Sequence, residues 1–133
     1  MKKKPSTKRK PRVQNPVTNA KSAFRTAIRH QIEGFKAMEY KEGLICPLTK
    51  TPITKKNVEV DHILPFRTIL QDFIVKNGVD LFTVQTCYSN RRTILVDQVL
   101  TLKWQAYHLE HATLRLTTRA GNRQRPRSDQ GTI

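Results

Sequence analysis

An α+β domain is what this sequence predicts, and three observations predict it. Apolar residues recur at three- and four-residue steps in three stretches, 19–42, 66–77 and 96–111. That is the spacing of one helix face. Two short β-branched segments, Val58-Glu59-Val60 and Thr113-Leu114-Arg115-Leu116-Thr117, read as strands. Gly43, Gly78 and a polar loop around Ser89-Asn90 punctuate the elements as helix terminators and turns do.

A chain of 133 residues has room for one domain with a modest core. The composition places that domain at 18–125, between a basic arm at 1–17 and a flexible tail at 126–133. The arm holds Lys2, Lys3, Lys4, Arg9 and three prolines with no acidic residue, too little apolar surface to order itself. Over the whole chain 25 Lys and Arg face 10 Asp and Glu, a formal charge of +15. Such an excess points to a polyanion, nucleic acid before an anionic membrane surface. Two cysteines, Cys46 and Cys87, make neither a disulfide framework nor the paired ligands of a structural zinc, so no zinc is expected. No apolar run reaches the roughly 18 residues of a membrane span, and no leader follows the basic start. The expectation is a soluble, cytoplasmic protein with no membrane partner.

In chain order, Thr18 or Asn19 can cap a helix running to about residue 42, with Ala20, Ala23, Phe24, Ala27, Ile28, Phe35 and Met38 as its apolar stripe. Its other face carries Lys21, Arg25, Arg29 and Lys36, which either touch nucleic acid or are simply solvated. Residues 44–53 read as a short strand, a turn and a return, with Cys46 a small buried residue. The strand at 58–60 runs into Asp61-His62. A helix over 66–77 follows, its face made by Phe66, Ile69, Leu70, Phe73 and Ile74. Residues 79–93 are irregular, and Arg91 and Arg92 either grip phosphate or sit in solvent. The helix over 96–111 is anchored by Trp104 and Tyr107. The strand at 113–117 turns Leu114 and Leu116 inward, and a last short helix over 118–125 carries Arg119, Asn122, Arg123 and Arg125.

Asp61-His62 is where chemistry concentrates. Neighbours on an extended segment point to opposite faces, so one can hold a cation while the other reaches the same substrate elsewhere. Hydrolysis of a phosphodiester needs a base for water, a cation for the developing charge, and basic groups for the backbone. The unperturbed pKa of a histidine sits near working pH, which makes His62 the natural general base. Asp61 is a hard-oxygen ligand suited to Mg2+, and the Asn122 amide oxygen can supply another. His111 and His108 lie three apart near one helix face, placed for a metal or phosphate site or for local hydrogen bonds; His30 is mid-helix.

Val60-Asp61-His62-Ile63-Leu64-Pro65 and the later Leu114-Arg115-Leu116-Thr117-Thr118-Arg119-Ala120-Gly121-Asn122-Arg123 resemble the two halves of the HNH endonuclease motif. Over 44–125 the chain is similar to small phage-encoded HNH nucleases of the ββα-metal (His-Me finger) fold. The resemblance implies a metal-dependent endonuclease on double-stranded DNA, with Mg2+ or Mn2+ as cofactor, acting in the host cytoplasm if phage-encoded. It makes Asp61 and Asn122 the metal ligands and His62 the general base. Lys2, Lys3, Lys4, Arg9, Arg91, Arg92, Arg115, Arg119, Arg123 and Arg125 become candidate phosphate contacts. The family's middle Asn, which orients the base, falls at Thr113, with His111 as a nearby substitute. Sixty residues between Asp61 and Asn122 exceed the compact family form, which implies a helical insertion between the two strands. Two other readings stand beside this one: a degenerate fold of the same type that binds nucleic acid without cutting it, and a basic structural or ribosome-associated protein.

Overall fold

The computed structural model describes residues 15–124. The basic arm with Lys2, Lys3, Lys4 and Arg9, and Arg125 with the tail, lie outside the described residues. The rest is α+β: helices α1 (Pro16–Ala27), α2 (Arg29–Glu39), α3 (Phe66–Asn77), α4 (Gln98–His111) and α5 (Arg119–Arg123) around strands β1 (Val58–His62), β2 (Thr86–Ser89), β3 (Arg92–Leu95) and β4 (Leu114–Thr118). Among the described residues no helix is long and apolar enough to cross a membrane.

Where one helix over 19–42 is expected, there are two. The Asn15 side chain accepts from the Val17 amide, and Pro16 takes the first turn, where its missing N–H costs nothing. Ile28, at φ −110° and ψ 9°, then interrupts the backbone, and α2 restarts in a new direction. The break has a packing cause, because the stripe serves two separate cores. Ala23, Phe24 and Ile28 join Phe66, Ile69, Leu70, Phe73, Leu95 and Trp104 in the larger one. Phe35 on α2 packs instead on Cys46, Ile53 and Leu116.

Trp104 fixes the larger core: it is fully buried, edge-on to Phe24 and Phe66, and its indole N–H donates to the Phe24 carbonyl at 2.8 Å. Residues 79–93, expected to be irregular, contain most of a hairpin. β2 pairs antiparallel with β3, Thr86 opposite Leu95 and Ser89 opposite Arg92. Asn90 and Arg91 turn it with φ of 51° and 66°, the doubly left-handed geometry that matches strand twist. A two-residue turn usually announces itself with glycine, and here it does not.

β1 pairs antiparallel with β4, Val58 opposite Thr118 and His62 opposite Leu114. Everything from α3 to α4 is inserted between these partners, and α5 follows β4 directly. The order strand, strand, helix is therefore closed in space although the insertion separates it in the chain. The segment before β1 folds back through an Ile45–Pro52 bridge. Its Cys46 Sγ accepts from the Thr118 amide at 3.3 Å, which clasps it to the start of α5. Burial alone would raise the Cys46 thiol, but hydrogen bonds from Thr49 and Thr118 outweigh it and bring it down to about 6.

Candidate functional site

Alternation along β1 separates two chemistries. Val58, Val60 and His62 share one face; Glu59 and Asp61 share the other with their cross-strand partners Thr117 and Arg115.

On the first face, His62 closes a relay. Its Nε2 lies 2.9 Å from Nε2 of His108, whose Nδ1 is 2.7 Å from Oε1 of Gln31. The Gln31 amide is oriented by its own Nε2, which donates to the Gln105 carbonyl at 2.9 Å. Each link then fixes the next. Gln31 Oε1 accepts, so His108 carries its proton on Nδ1 and presents a lone pair at Nε2. His62 must therefore donate from Nε2, and its Nδ1 is the basic nitrogen. His108 suits this task because it stays neutral: burial, with the charges of His62 and His30 adding to it, pushes its pKa down to about 4. Phe66 contacts both rings, edge-on to His62 at 5.5 Å and tilted to His108 at 6.2 Å.

On the second face, Asp61 is 1 % exposed and accepts from Arg115 Nε at 2.7 Å. Glu59 accepts from Arg119 Nε at 3.2 Å and from Asn122 Nδ2 at 3.0 Å. Asn122 is placed by α5, whose first turn is capped by the Thr118 hydroxyl accepting from the Gly121 amide. Thr117, opposite Glu59, is fully buried, and its hydroxyl finds no hydrogen-bond partner among the described residues.

The donor set fits a hard cation in kind. Glu59, Asp61 and Asn122 offer oxygens, and the Thr117 hydroxyl adjoins them. A hydrated Mg2+ needs only one or two carboxylates, the remainder being water and substrate oxygen. Among the described residues there is no cluster of three or more His, Cys, Asp and Glu side chains suited to a metal. Arg115 occupies Asp61 in this arrangement and must leave it before a cation can be held there.

Basic residues frame the His62 side. A groove of about 630 Å3 runs along β1, lined by Arg25, Arg29 and Lys36 from the helices, by Arg92 and His62, and by the acidic Glu33 and Glu59, Glu33 being paired with Arg29 at 3.0 Å. A second, of about 570 Å3, shares Arg25 and Arg92 and continues to Arg91 at the hairpin. Of the side chains of α1 and α2 that sequence left between solvent and nucleic acid, Arg25, Arg29 and Lys36 thus share a groove with Arg92 and His62, and Lys21 does not.

Other expected contacts fall elsewhere. His111 turns to its own helix, Nδ1 2.9 Å from the Tyr107 carbonyl and stacked on the Tyr107 ring, so it is His108 and not His111 that meets His62. Thr113 is exposed and meets the site through its backbone, its carbonyl accepting from the Ile63 amide at 2.8 Å. Arg115 and Arg119 are engaged by Asp61 and Glu59, and Arg123 is exposed at the end of α5. Gln31 and Glu59 are the additions, and His108, which the sequence left between a metal or phosphate site and local hydrogen bonds, is the histidine that joins His62. The signal for His108 was its four-residue step from Trp104, which puts it on the buried stripe, where a histidine needs partners. Comparison with protein-family models, curated proteins and solved structures finds no match to this chain.

Proposed function

We propose that this chain is a metal-dependent DNA endonuclease with His62 as general base and Asp61 and Asn122 as metal ligands. The observation that carries the proposal is the His62–His108–Gln31 relay beside a groove in which Arg25, Arg29, Lys36 and Arg92 outnumber Glu33 and Glu59. A strand-strand-helix unit of β1, β4 and α5, with Asp61-His62 ending the first strand and Asn122 in the helix, supports a ββα-metal core of HNH type.

The groove cations hold the phosphodiester backbone without reading bases. His62 Nδ1 removes a proton from water as its oxygen attacks phosphorus; the P–O bond to the leaving group breaks, and that oxygen is protonated from solvent. His108 accepts the Nε2 proton of His62 throughout, which keeps the ring in the tautomer that can act. Asp61 and Asn122 would hold Mg2+ or Mn2+, which would supply stabilisation of the charge that develops in the reaction. Arg115, once released from Asp61, would be available to pair with phosphate.

Supercoiled plasmid incubated with Mg2+ or Mn2+ should be nicked or linearised by the wild type, and His62→Ala should slow this by about 10²–10⁴-fold, the usual worth of a general base. Cleavage by both proteins, or by neither while DNA binding persists, defeats the assignment. The Asp61–Arg115 ion pair favours a second reading, a fold of this kind that binds nucleic acid without cutting it. It predicts DNA retention indifferent to divalent cation and unaltered by His62→Ala.

A further inference from the structure

Helix α4 is apolar on two opposite faces. Leu100, Trp104 and Tyr107 face the core. Val99, Leu102, Ala106 and Leu109 are exposed on the far side, the three larger ones by 64, 63 and 70 %. Steps of three, four and three residues align them as a single seam, the pattern by which helices pair. One end runs into an apolar hollow of about 390 Å3 lined by Phe35, Met38, Leu109, Ala112 and Leu114, with Met38 81 % exposed. Isolated apolar residues on a surface need no explanation, but a continuous seam opening into a hollow does.

We infer that this seam is a self-association surface, on which α4 packs antiparallel against α4 of a second copy about a two-fold axis that crosses the exposed face midway between Leu102 and Ala106. The spacing is self-complementary: with the second helix reversed, Val99 meets Leu109 and Leu102 meets Ala106. Each contact occurs twice, as a two-fold interface requires. The flanks agree. Lys103 and Glu110, both exposed, border the same side of the seam. Reversal brings Lys103 of one copy beside Glu110 of the other, again twice, while the opposite flank pairs Gln98 with Gln105. Lys103 and Glu110 are the only Lys, Arg, Asp or Glu in α4, so the helix is formally neutral in a chain of net charge +15. An unrelated acidic partner would instead be met by unbalanced positive charge. One helix and one hollow per copy make a small interface, so affinity falls on the order of micromolar. The inference stands apart from the nuclease reading, although two copies would give such an enzyme one site per strand.

Sedimentation velocity of the full chain at 0.15 M salt, from one to several hundred micromolar, tests it. The expected mass rises with concentration from 15.4 kDa toward twice that. Lys103→Glu, which sets two acids together, weakens association at least tenfold, and Lys103→Glu with Glu110→Lys restores it. Leu102→Asp abolishes it without loss of helical circular dichroism. A chain that stays monomeric throughout, or a dimer indifferent to Lys103→Glu and to Leu102→Asp, overturns the inference. So does failure of the double exchange to restore what the single change removes.

Discussion

His62 acquires a defined basic nitrogen from a glutamine two partners away. If Gln31 sets the tautomers, 15N-resolved imidazole spectra at pH 7.5 should show His108 protonated at Nδ1 and His62 at Nε2. Gln31→Leu should blur both assignments while leaving the fold intact, and a His62 protonated at Nδ1 in the wild type would dismiss the relay. His108 also couples stability to pH. Its folded pKa of about 4 lies below the ordinary 6.5, so between these values the unfolded chain binds a proton that the folded one does not. Stability from this source is complete above pH 6.5 and is lost as pH falls toward 4, on the order of 3 kcal/mol in all. Urea unfolding at pH 7.5 and 4.5 measures the loss, and His108→Leu should flatten that part of the profile.

Helix α5 is only five residues long, so its position, and with it Asn122, depends on docking rather than on helical propensity. Gly121 is the close approach. A Cβ there would come within 3.0 Å of Cys46 Sγ and 3.2 Å of both Leu48 Cβ and Thr118 Oγ1. Alanine favours a helix over glycine by about 1 kcal/mol, but this overpacking costs about 1–3 kcal/mol and wins. Thermal unfolding of Gly121→Ala should show a net loss, partly recovered by adding Cys46→Ala, since the two changes share one contact. Equal losses with and without Cys46→Ala would mean that the sulfur is not the obstacle. The hairpin shows how an element escapes notice. Thr93, Ile94 and Leu95 have strand character, but Asn90-Arg91 lacks the glycine that marks a two-residue turn.

The basic charge of the whole chain becomes informative once the grooves give part of it a shape. Arg25 and Arg92 line both grooves, so Arg25→Glu with Arg92→Glu should weaken duplex binding at least tenfold. It should also reduce the salt dependence of binding by about two phosphate contacts. The same pair of changes at exposed Lys55 and Lys56, away from the groove linings, should do much less. Equal effects from both pairs would mean that net charge, not the groove, governs the interaction. Titration by fluorescence anisotropy over a range of salt distinguishes them.

Local pattern was enough for the α+β class, for the strands holding Asp61-His62 and Leu114–Thr118, and for α3 and α4. In each case periodic burial is written along a continuous stretch. It also placed Asp61 and His62 on opposite faces, because strand alternation leaves no choice. The break at Ile28 was not legible, since one apolar stripe serves two cores that only the folded chain separates. Nor were the choice of His108 over His111, the capture of Asp61 by Arg115, and the link from Glu59 to Asn122. Each joins residues 46 to 63 positions apart in the chain. The pairing of β1 with β4 across the long insertion brings the last two within hydrogen-bonding reach, and the packing of α4 beside β1 brings His108 to His62. What Asp61-His62 could be was contained in the residues; what each of them touches was decided by the packing.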